Sequence, residues 1–553
     1  MKQGELLVGN IGVFLHRTAR TYPDKVAIIR GGARITYAQL EHGANALAHA
    51  LQSLGLAKGD RVSIMCPNDR HIIEAHFGTL RAGGVYNPLN FRASKLEVTG
   101  YCNRAHTRIL IAATDYLDVI DAAARGCPDL RHVVLTGRVD TSALSGNVAW
   151  HFYDDLVSQC ANRPLVDVPV TFDDHCWHNF TSGTTGVPKG SIQTHGRMTF
   201  VFVSRMADVL TGLSAADVHL AIGPISHGTG TITTMHAMKG ATIVMLDSPG
   251  FDPERALQLI EQHRVTNLFT VPTILMDLLK HPAAASYDLT SLRTVIYAGA
   301  PISRPDQKLA IERLGSVLVQ YYGSAENFGT ATVLYPHMHS DRDDDPSAPP
   351  GSCGVARTGM DVAILDDGMK PVPVGEIGEI CTRGIANFLE YYEMPEATAE
   401  TIVDGWVRTG DLGRIDERGF FYIAGRSKEM YKSGGLQVYP NETENHLAQH
   451  PAVSEAYVVS YPDSRWGETG VAVVTLKSGQ EVDEGELIAF IRERLAHYKQ
   501  PRRIFIWRDV PKTPYGKIPK QLLRDALAQR EGLEYGVDVP PDPQLHARRG
   551  DGT

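Results

Sequence analysis

Five short apolar runs lie between residues 216 and 322: Val218-His219-Leu220-Ala221-Ile222, Ala241-Thr242-Ile243-Val244-Met245-Leu246, Asn267-Leu268-Phe269-Thr270-Val271, Arg293-Thr294-Val295-Ile296-Tyr297-Ala298 and Ser316-Val317-Leu318-Val319-Gln320-Tyr321. Each has the length of a buried strand, and helical patterns such as Pro253–His263 separate several of them. Strands that alternate with helices predict α/β sheets with parallel character, because a parallel pair needs a crossover and a helix is the usual one. This stretch sets the fold class as α/β.

Working outward, Ala27–Ile29 and Ile35–Tyr37 flank a Gly-Gly pair and predict a hairpin. A helix is expected from about Ala38 to Leu54, closed by Gly55, and then a buried strand at Arg61–Met65. Beyond the alternating stretch, residues 337–351 are acidic and rich in Pro and Ser, which predicts an exposed loop. From about residue 430 a compact pattern appears: a strand at Gln437–Tyr439, a helix near Asn441–His450, strands near Val453–Ser460 and Val471–Leu476, a helix at Glu484–His497 and a strand at Arg503–Trp507. That suffices for a small α+β domain. Residues 536–553 contain Pro-Pro and end in ARRGDGT, as a disordered tail does.

Composition excludes several classes. The 553 residues carry a formal net charge of −9. Sequence-independent binding to nucleic acid or to anionic lipid wants clustered Lys and Arg, so neither is expected. Seven scattered cysteines without a CxxC pair suggest no zinc site and no disulfide framework, which fits a reducing cytoplasm. No apolar run approaches the roughly 20 residues that span a bilayer, and the N-terminus does not read as a signal peptide.

The strongest local feature is Thr181-Ser182-Gly183-Thr184-Thr185-Gly186-Val187-Pro188-Lys189-Gly190. Glycines let the backbone approach a ligand closely, and free N–H groups with several hydroxyls wrap a phosphate chain. Lys189 adds a cation. A Walker A loop requires Lys directly after the last Gly; here Val187 and Pro188 intervene, so that reading fails.

This loop resembles the phosphate loop of the adenylate-forming superfamily, which comprises acyl-CoA synthetases, peptide-synthetase adenylation domains and beetle luciferases. The resemblance runs from about residue 10 to 520 through several ordered motifs. It implies a large N-terminal domain of stacked α/β sheets at about 1–427 and a small mobile α+β domain at about 428–535. It also implies ATP, Mg²⁺ and coenzyme A as the small molecules that join a carboxylic acid substrate. The chemistry is demanding: a carboxylate becomes reactive toward a thiol only once its oxygen is part of a good leaving group, here AMP.

Further motifs extend the resemblance. Tyr322-Gly323-Ser324-Ala325-Glu326 is similar to the family's YGxTE segment, which places Tyr322 against adenine and Glu326 on Mg²⁺. Ala325 departs from the usual Thr, which removes one hydroxyl contact to the α-phosphate; either Ser324 replaces it or activity is lower. Gly299-Ala300-Pro301 resembles the adenine-side loop. Thr409-Gly410-Asp411 resembles the TGD whose Asp accepts from the ribose hydroxyls. In Gly425-Arg426-Ser427-Lys428-Glu429, Arg426 would contact the ribose and Lys428 would be the hinge pivot. Pro514-Tyr515-Gly516-Lys517 resembles the C-terminal lysine loop, with Lys517 bridging carboxylate and α-phosphate; the implied catalytic residues are Lys517, Thr185, Glu326 and His227.

The C-terminal half separates the branches. Lys432-Ser433-Gly434-Gly435-Leu436-Gln437-Val438-Tyr439-Pro440 resembles acyl- and aryl-CoA ligases, where Gly434 and Gly435 leave room for the pantetheine arm. Trp466 and Tyr498 are candidates to stack on the CoA adenine. Gly223-Pro224-Ile225-Ser226-His227-Gly228-Thr229-Gly230 resembles the segment that separates acid site from CoA tunnel, so His227 is expected to contact the acyl carboxylate or gate the tunnel. The acid pocket is expected along His227–Thr233, Ala298–Ala300 and Ser324–Thr330. These stretches contain no Lys or Arg, which argues for an apolar acid, aromatic or medium-chain aliphatic, without a second anionic group. The resulting expectation is an AMP-forming acid–CoA ligase that releases AMP and pyrophosphate, with room for a homodimer. Its rivals are carrier-protein loading, a luciferase-like oxygenase and a non-catalytic AMP-binding regulator.

Overall fold

A computed structural model describes residues 7–144, 146–181, 188–248, 250–512 and 518–533. The expectations for Ser182, Gly183, Thr184, Thr185, Gly186, Lys517 and the C-terminal tail fall outside these residues.

The alternating stretch forms the centre of a nine-stranded sheet. Its order runs Val355–Ala356, Thr332–Leu334, Leu318–Tyr322, Thr294–Tyr297, Asn267–Thr270, Val218–Ala221, Thr242–Met245, Val26–Arg30 and Ala33–Thr36. The six strands from Leu318–Tyr322 to Val26–Arg30 pair parallel, and antiparallel strands close both ends. The central strands are buried on both faces, so their sequences read as continuous apolar runs rather than alternating ones. The expected hairpin is present at Val26–Arg30 and Ala33–Thr36. The helix after it, Tyr37–Ser53, opens with a capping box at Thr36 and Gln39, and Pro253–His263 opens with Asp252 capping and Pro at the first turn.

A second, seven-stranded sheet takes Lys189–Thr194, His175–Thr181, Val85–Pro88, Arg61–Met65, Thr107–Ala112, His132–Leu135 and Ala149–Phe152 in that order. Helix Tyr37–Ser53 packs on helix Arg70–Arg81, and a single apolar cluster joins residues of both large sheets. A third sheet contains Met360–Leu365, Gly378–Gly384, Trp406–Ile415, Ile402–Val403 and Phe421–Arg426, all antiparallel.

The last sheet belongs to the small C-terminal domain. It combines Tyr431–Ser433, Leu436–Val438, Val453–Asp463 and Gly467–Leu476 with a parallel strand, Arg503–Trp507. Two apolar clusters, one around Leu487 and Ile491 and one around Leu523 and Leu527, cover its faces. The helix expected to reach His497 stops at Arg492, and His497–Lys499 forms a separate short turn that leads into Pro501. No helix among the described residues is long and apolar enough to cross a membrane.

Candidate active site

Parallel sheets place ligands beyond the carboxyl ends of their strands. Strand Leu318–Tyr322 ends in the turn Gly323–Glu326, strand Thr294–Tyr297 in the exposed turn at Gly299, Ala300 and Pro301, and strand Val218–Ala221 in the segment that leads to His227. Strand His175–Thr181 of the second sheet ends where the phosphate loop begins; the backbone of Thr181 pairs with Lys189.

Tyr322 donates its hydroxyl to Asp411 Oδ2 at 2.6 Å, and Arg426 Nε lies 2.7 Å from Asp411 Oδ1. Asp411 and Arg426 face each other across antiparallel strands, so sheet register sets this pair. Thr409 donates to the Ile380 carbonyl at 2.6 Å, while Gly410 N–H donates to Glu379 at 2.8 Å. Burial pushes the Asp411 carboxyl up, and the adjacent Arg426 guanidinium opposes that shift. The result is a buried carboxylate with a fixed direction and spare lone pairs, suited to vicinal hydroxyls.

The turn after Tyr322 is held by Asn327, whose Oδ1 accepts from Ser324 N–H at 2.9 Å and Gly329 N–H at 3.1 Å. Within it, the Ser324 hydroxyl is buried and has no protein partner. An orphaned buried hydroxyl costs free energy unless a ligand satisfies it, so its position beside Ala325 fits an incoming phosphate oxygen. Glu326 accepts from the Tyr391 hydroxyl at 2.6 Å, and its own carbonyl accepts from Phe388 N–H. Lys189 Nζ lies 4.8 Å from the centre of the Tyr391 ring. Tyr391 thereby couples the end of the phosphate loop to the proposed metal carboxylate, a link the sequence reading missed; the only signal was the tandem Tyr391-Tyr392. Among the described residues no cluster of three His, Cys, Asp or Glu side chains forms a metal cage. One oriented carboxylate fits Mg²⁺, which keeps its waters and takes phosphate oxygens from its nucleotide.

His227 is exposed and precedes helix Gly228–Lys239, with Nδ1 2.9 Å from Ser226 Oγ. A Cβ on Gly228 would lie 2.9 Å from Phe269 Cζ, so a side chain there would require the Phe269 ring to shift. Phe269 stacks on Tyr321 at 5.9 Å and 11°. Gly228, Phe269 and Tyr321 thus pack together, with His227 just before Gly228 and Tyr322 just after Tyr321. Behind these stretches stands a buried cation: Arg205, from helix His195–Asp208, donates to Thr231 Oγ1 and to the Phe328 carbonyl. It reaches the expected stretches from outside them in sequence.

In the C-terminal domain, Gly434 and Gly435 have φ of +58° and +81° and form the two-residue turn between Tyr431–Ser433 and Leu436–Val438. Gly434 N–H donates to the Trp466 carbonyl at 2.7 Å, and a Cβ on Gly434 would meet the Trp466 ring at 2.9 Å. Trp466, Arg492, His497, Tyr498 and Arg502 line an open cleft beside this turn. After the proposed hinge residue Lys428, Glu429 N–H returns to the Arg426 carbonyl at 3.0 Å.

Residues 15–392 match the AMP-binding enzyme family and residues 442–517 match the AMP-binding enzyme C-terminal domain. A feruloyl-CoA synthase of Amycolatopsis sp is 35% identical over 93% of this chain and 98% of its own length. The long-chain-fatty-acid–CoA ligase FadD13 of Mycobacterium tuberculosis is 33% identical over 96% of this chain and 99% of its own. The solved structure of the anthranilate CoA ligase AuaEII in complex with anthranoyl-AMP superposes with a TM-score of 0.84 at 27% identity, covering 96% of this chain and 99% of that one. The chain belongs to the AMP-binding enzyme family and, within the adenylate-forming superfamily, to the acyl- and aryl-CoA ligases.

Proposed function

We propose that this AMP-forming acid–CoA ligase adenylates an aromatic or medium-chain aliphatic acid with the residues of the cleft in the following roles. The observation that carries the reading is the continuous contact from Arg426 through Asp411 and Tyr322 to the turn that holds Ser324 and Glu326. Asp411 and Arg426 hold the ribose, and the Tyr322 ring flanks the adenine beside Gly299, Ala300 and Pro301. Ser324, Lys189 and the loop Thr181–Gly186, with Thr185 and Lys517, hold the phosphates. Glu326 holds Mg²⁺, which supplies charge neutralisation on the phosphate oxygens.

An acid carboxylate oxygen attacks the α-phosphorus, and pyrophosphate leaves. The CoA thiol, losing its proton to solvent, then attacks the acyl carbon, and AMP leaves. His227, at the entrance, contacts the acyl carboxylate and separates the acid from the thiol path. The apolar Phe269–Tyr321 wall beside Gly228 supports an acid with an apolar body, and the names of the relatives supply both an aromatic and an aliphatic precedent. The cleft at Trp466 and Tyr498 offers aromatic rings for the CoA adenine, and Arg492 and Arg502 offer cations for its phosphates. The reaction is placed in the cytoplasm, in line with seven buried, unpaired cysteines.

The test is AMP release from ATP and Mg²⁺ with a panel of aryl and aliphatic acids, each with and without CoA. Turnover that needs both an acid and CoA supports the reading. Nucleotide binding with no turnover on any acid would refute it.

A further inference from the structure

Helix His195–Asp208 delivers a guanidinium to a place where the chain does not use it fully. Arg205 is 2% exposed. Its Nη1 donates to Thr231 Oγ1 and its Nη2 to the Phe328 carbonyl, yet its Nε has no partner. Among the described residues no carboxylate lies within ion-pair distance of it. Arg357, 1% exposed, stands nearby: it donates to the Gly329 carbonyl at 3.2 Å, and its Nε is 3.6 Å from Asp208. Arg357 takes the one buried carboxylate and Arg205 has none, so positive charge is left uncompensated inside the protein. Such an arrangement is costly unless something else supplies an acceptor.

The location says what that something is. Arg205 lies 5.1 Å from the centre of the Tyr321 ring, and Tyr321 stacks on Phe269 beside Gly228. Thr231 is one turn into the helix that starts after His227. Phe328 takes φ of +53°, a conformation uncommon for a bulky residue, and its carbonyl is the one that accepts from Arg205. On the acid-pocket reading, an acid with its carboxylate at His227 runs its apolar body along Phe269 and Tyr321, the ring against which Arg205 sits.

We propose that Arg205 is a specificity-determining residue, and that the acid substrate carries an oxygen acceptor at the end distant from its carboxylate, such as a phenol, a ketone or a second carboxylate. The inference rests on the acid-pocket reading above and refines it: an apolar body, with a polar terminus. An acceptor there completes the guanidinium and strengthens binding through a charge-assisted hydrogen bond. An acid with a bare hydrocarbon terminus buries the unpaired donor instead.

The experiment compares kcat/KM for CoA-dependent AMP release within two matched pairs, 4-hydroxycinnamic against cinnamic acid and 7-oxooctanoic against octanoic acid. In the unmodified enzyme the oxygenated member of at least one pair is expected to win by about tenfold to a hundredfold, the worth of a hydrogen bond to a charged group. In Arg205→Met that ratio should fall to about one, and in Arg205→Lys it should be intermediate. Equal use of both members of both pairs by the unmodified enzyme, a comparison that needs no variant to fold, would overturn the inference. So would a ratio that Arg205→Met leaves intact. Absence of AMP release from every acid would instead count against the ligase reading itself.

Discussion

On the nucleotide side of the cleft, Asp411 is buried with both oxygens engaged, by Tyr322 and by Arg426. On the acid side, Arg205 is just as buried and keeps a donor unused. Asp411 and its partners are fixed by strand register and come from short motifs. Arg205 is fixed by contacts 26 and 123 residues away. The contrast follows from what each side must do. A nucleotide is the same in every turnover, so its charged receptor groups are paired before it arrives and only the Ser324 hydroxyl waits for it. The acid defines this particular ligase, so its receptor is finished only by the substrate.

Glu326→Ala removes the oriented carboxylate of the nucleotide side, and kcat for adenylation should fall by roughly 10²–10³-fold, measured as acid-dependent AMP release at saturating Mg²⁺. Asp411→Ala should raise the KM for ATP by about tenfold to a hundredfold and leave the ranking of acids unchanged. It should also cost about 1–3 kcal/mol in denaturant unfolding, because the Tyr322 hydroxyl loses its acceptor in a buried place. A change in acid ranking in this variant would show that the two sides are not independent.

Tyr391→Phe deletes the hydrogen bond that aims Glu326, so the Mg²⁺ concentration for half-maximal rate should rise about tenfold. The smallest effect concerns His106, which lies 2.7 Å from Asp129 and 3.0 Å from Glu393 and so tethers the segment that carries Tyr391. Both carboxylates raise the pKa of this imidazole above its free value. Its contribution is therefore complete below pH about 6.5 and is lost as pH rises through the higher folded value. The tether is partly exposed, so it contributes about 0.5 kcal/mol after solvent screening. His106→Gln should erase a correspondingly small fall in Tm between pH 6 and pH 8.

What the sequence disclosed follows the same divide. The five runs from Val218 to Tyr321 gave strands within one or two residues of those observed, because doubly buried parallel strands have no alternation to misread. In the second sheet only Arg61–Met65 was legible. His175–Thr181 carries two histidines and an asparagine among its aromatics, and its burial depends on neighbours distant in the chain. Asp411, Arg426 and Glu326 were visible as motifs, since each sits in a short stretch whose neighbouring residues announce it. Tyr391 and Arg205 were not, because a hydroxyl reaching Glu326 from 65 residues away leaves no local pattern. The stretches read as the acid pocket hold no Lys or Arg, and the guanidinium behind them comes from a helix that precedes them in the chain.

The most direct test of the central claim is a single-turnover experiment with ATP, Mg²⁺ and an accepted acid, quenched before and after CoA is added. The account predicts about one acyl-adenylate per enzyme without CoA, its replacement by an equal amount of acyl-CoA and AMP once CoA arrives, and neither species in Lys517→Ala. Formation of ADP in place of AMP, or an acyl-adenylate that CoA does not discharge, would contradict it.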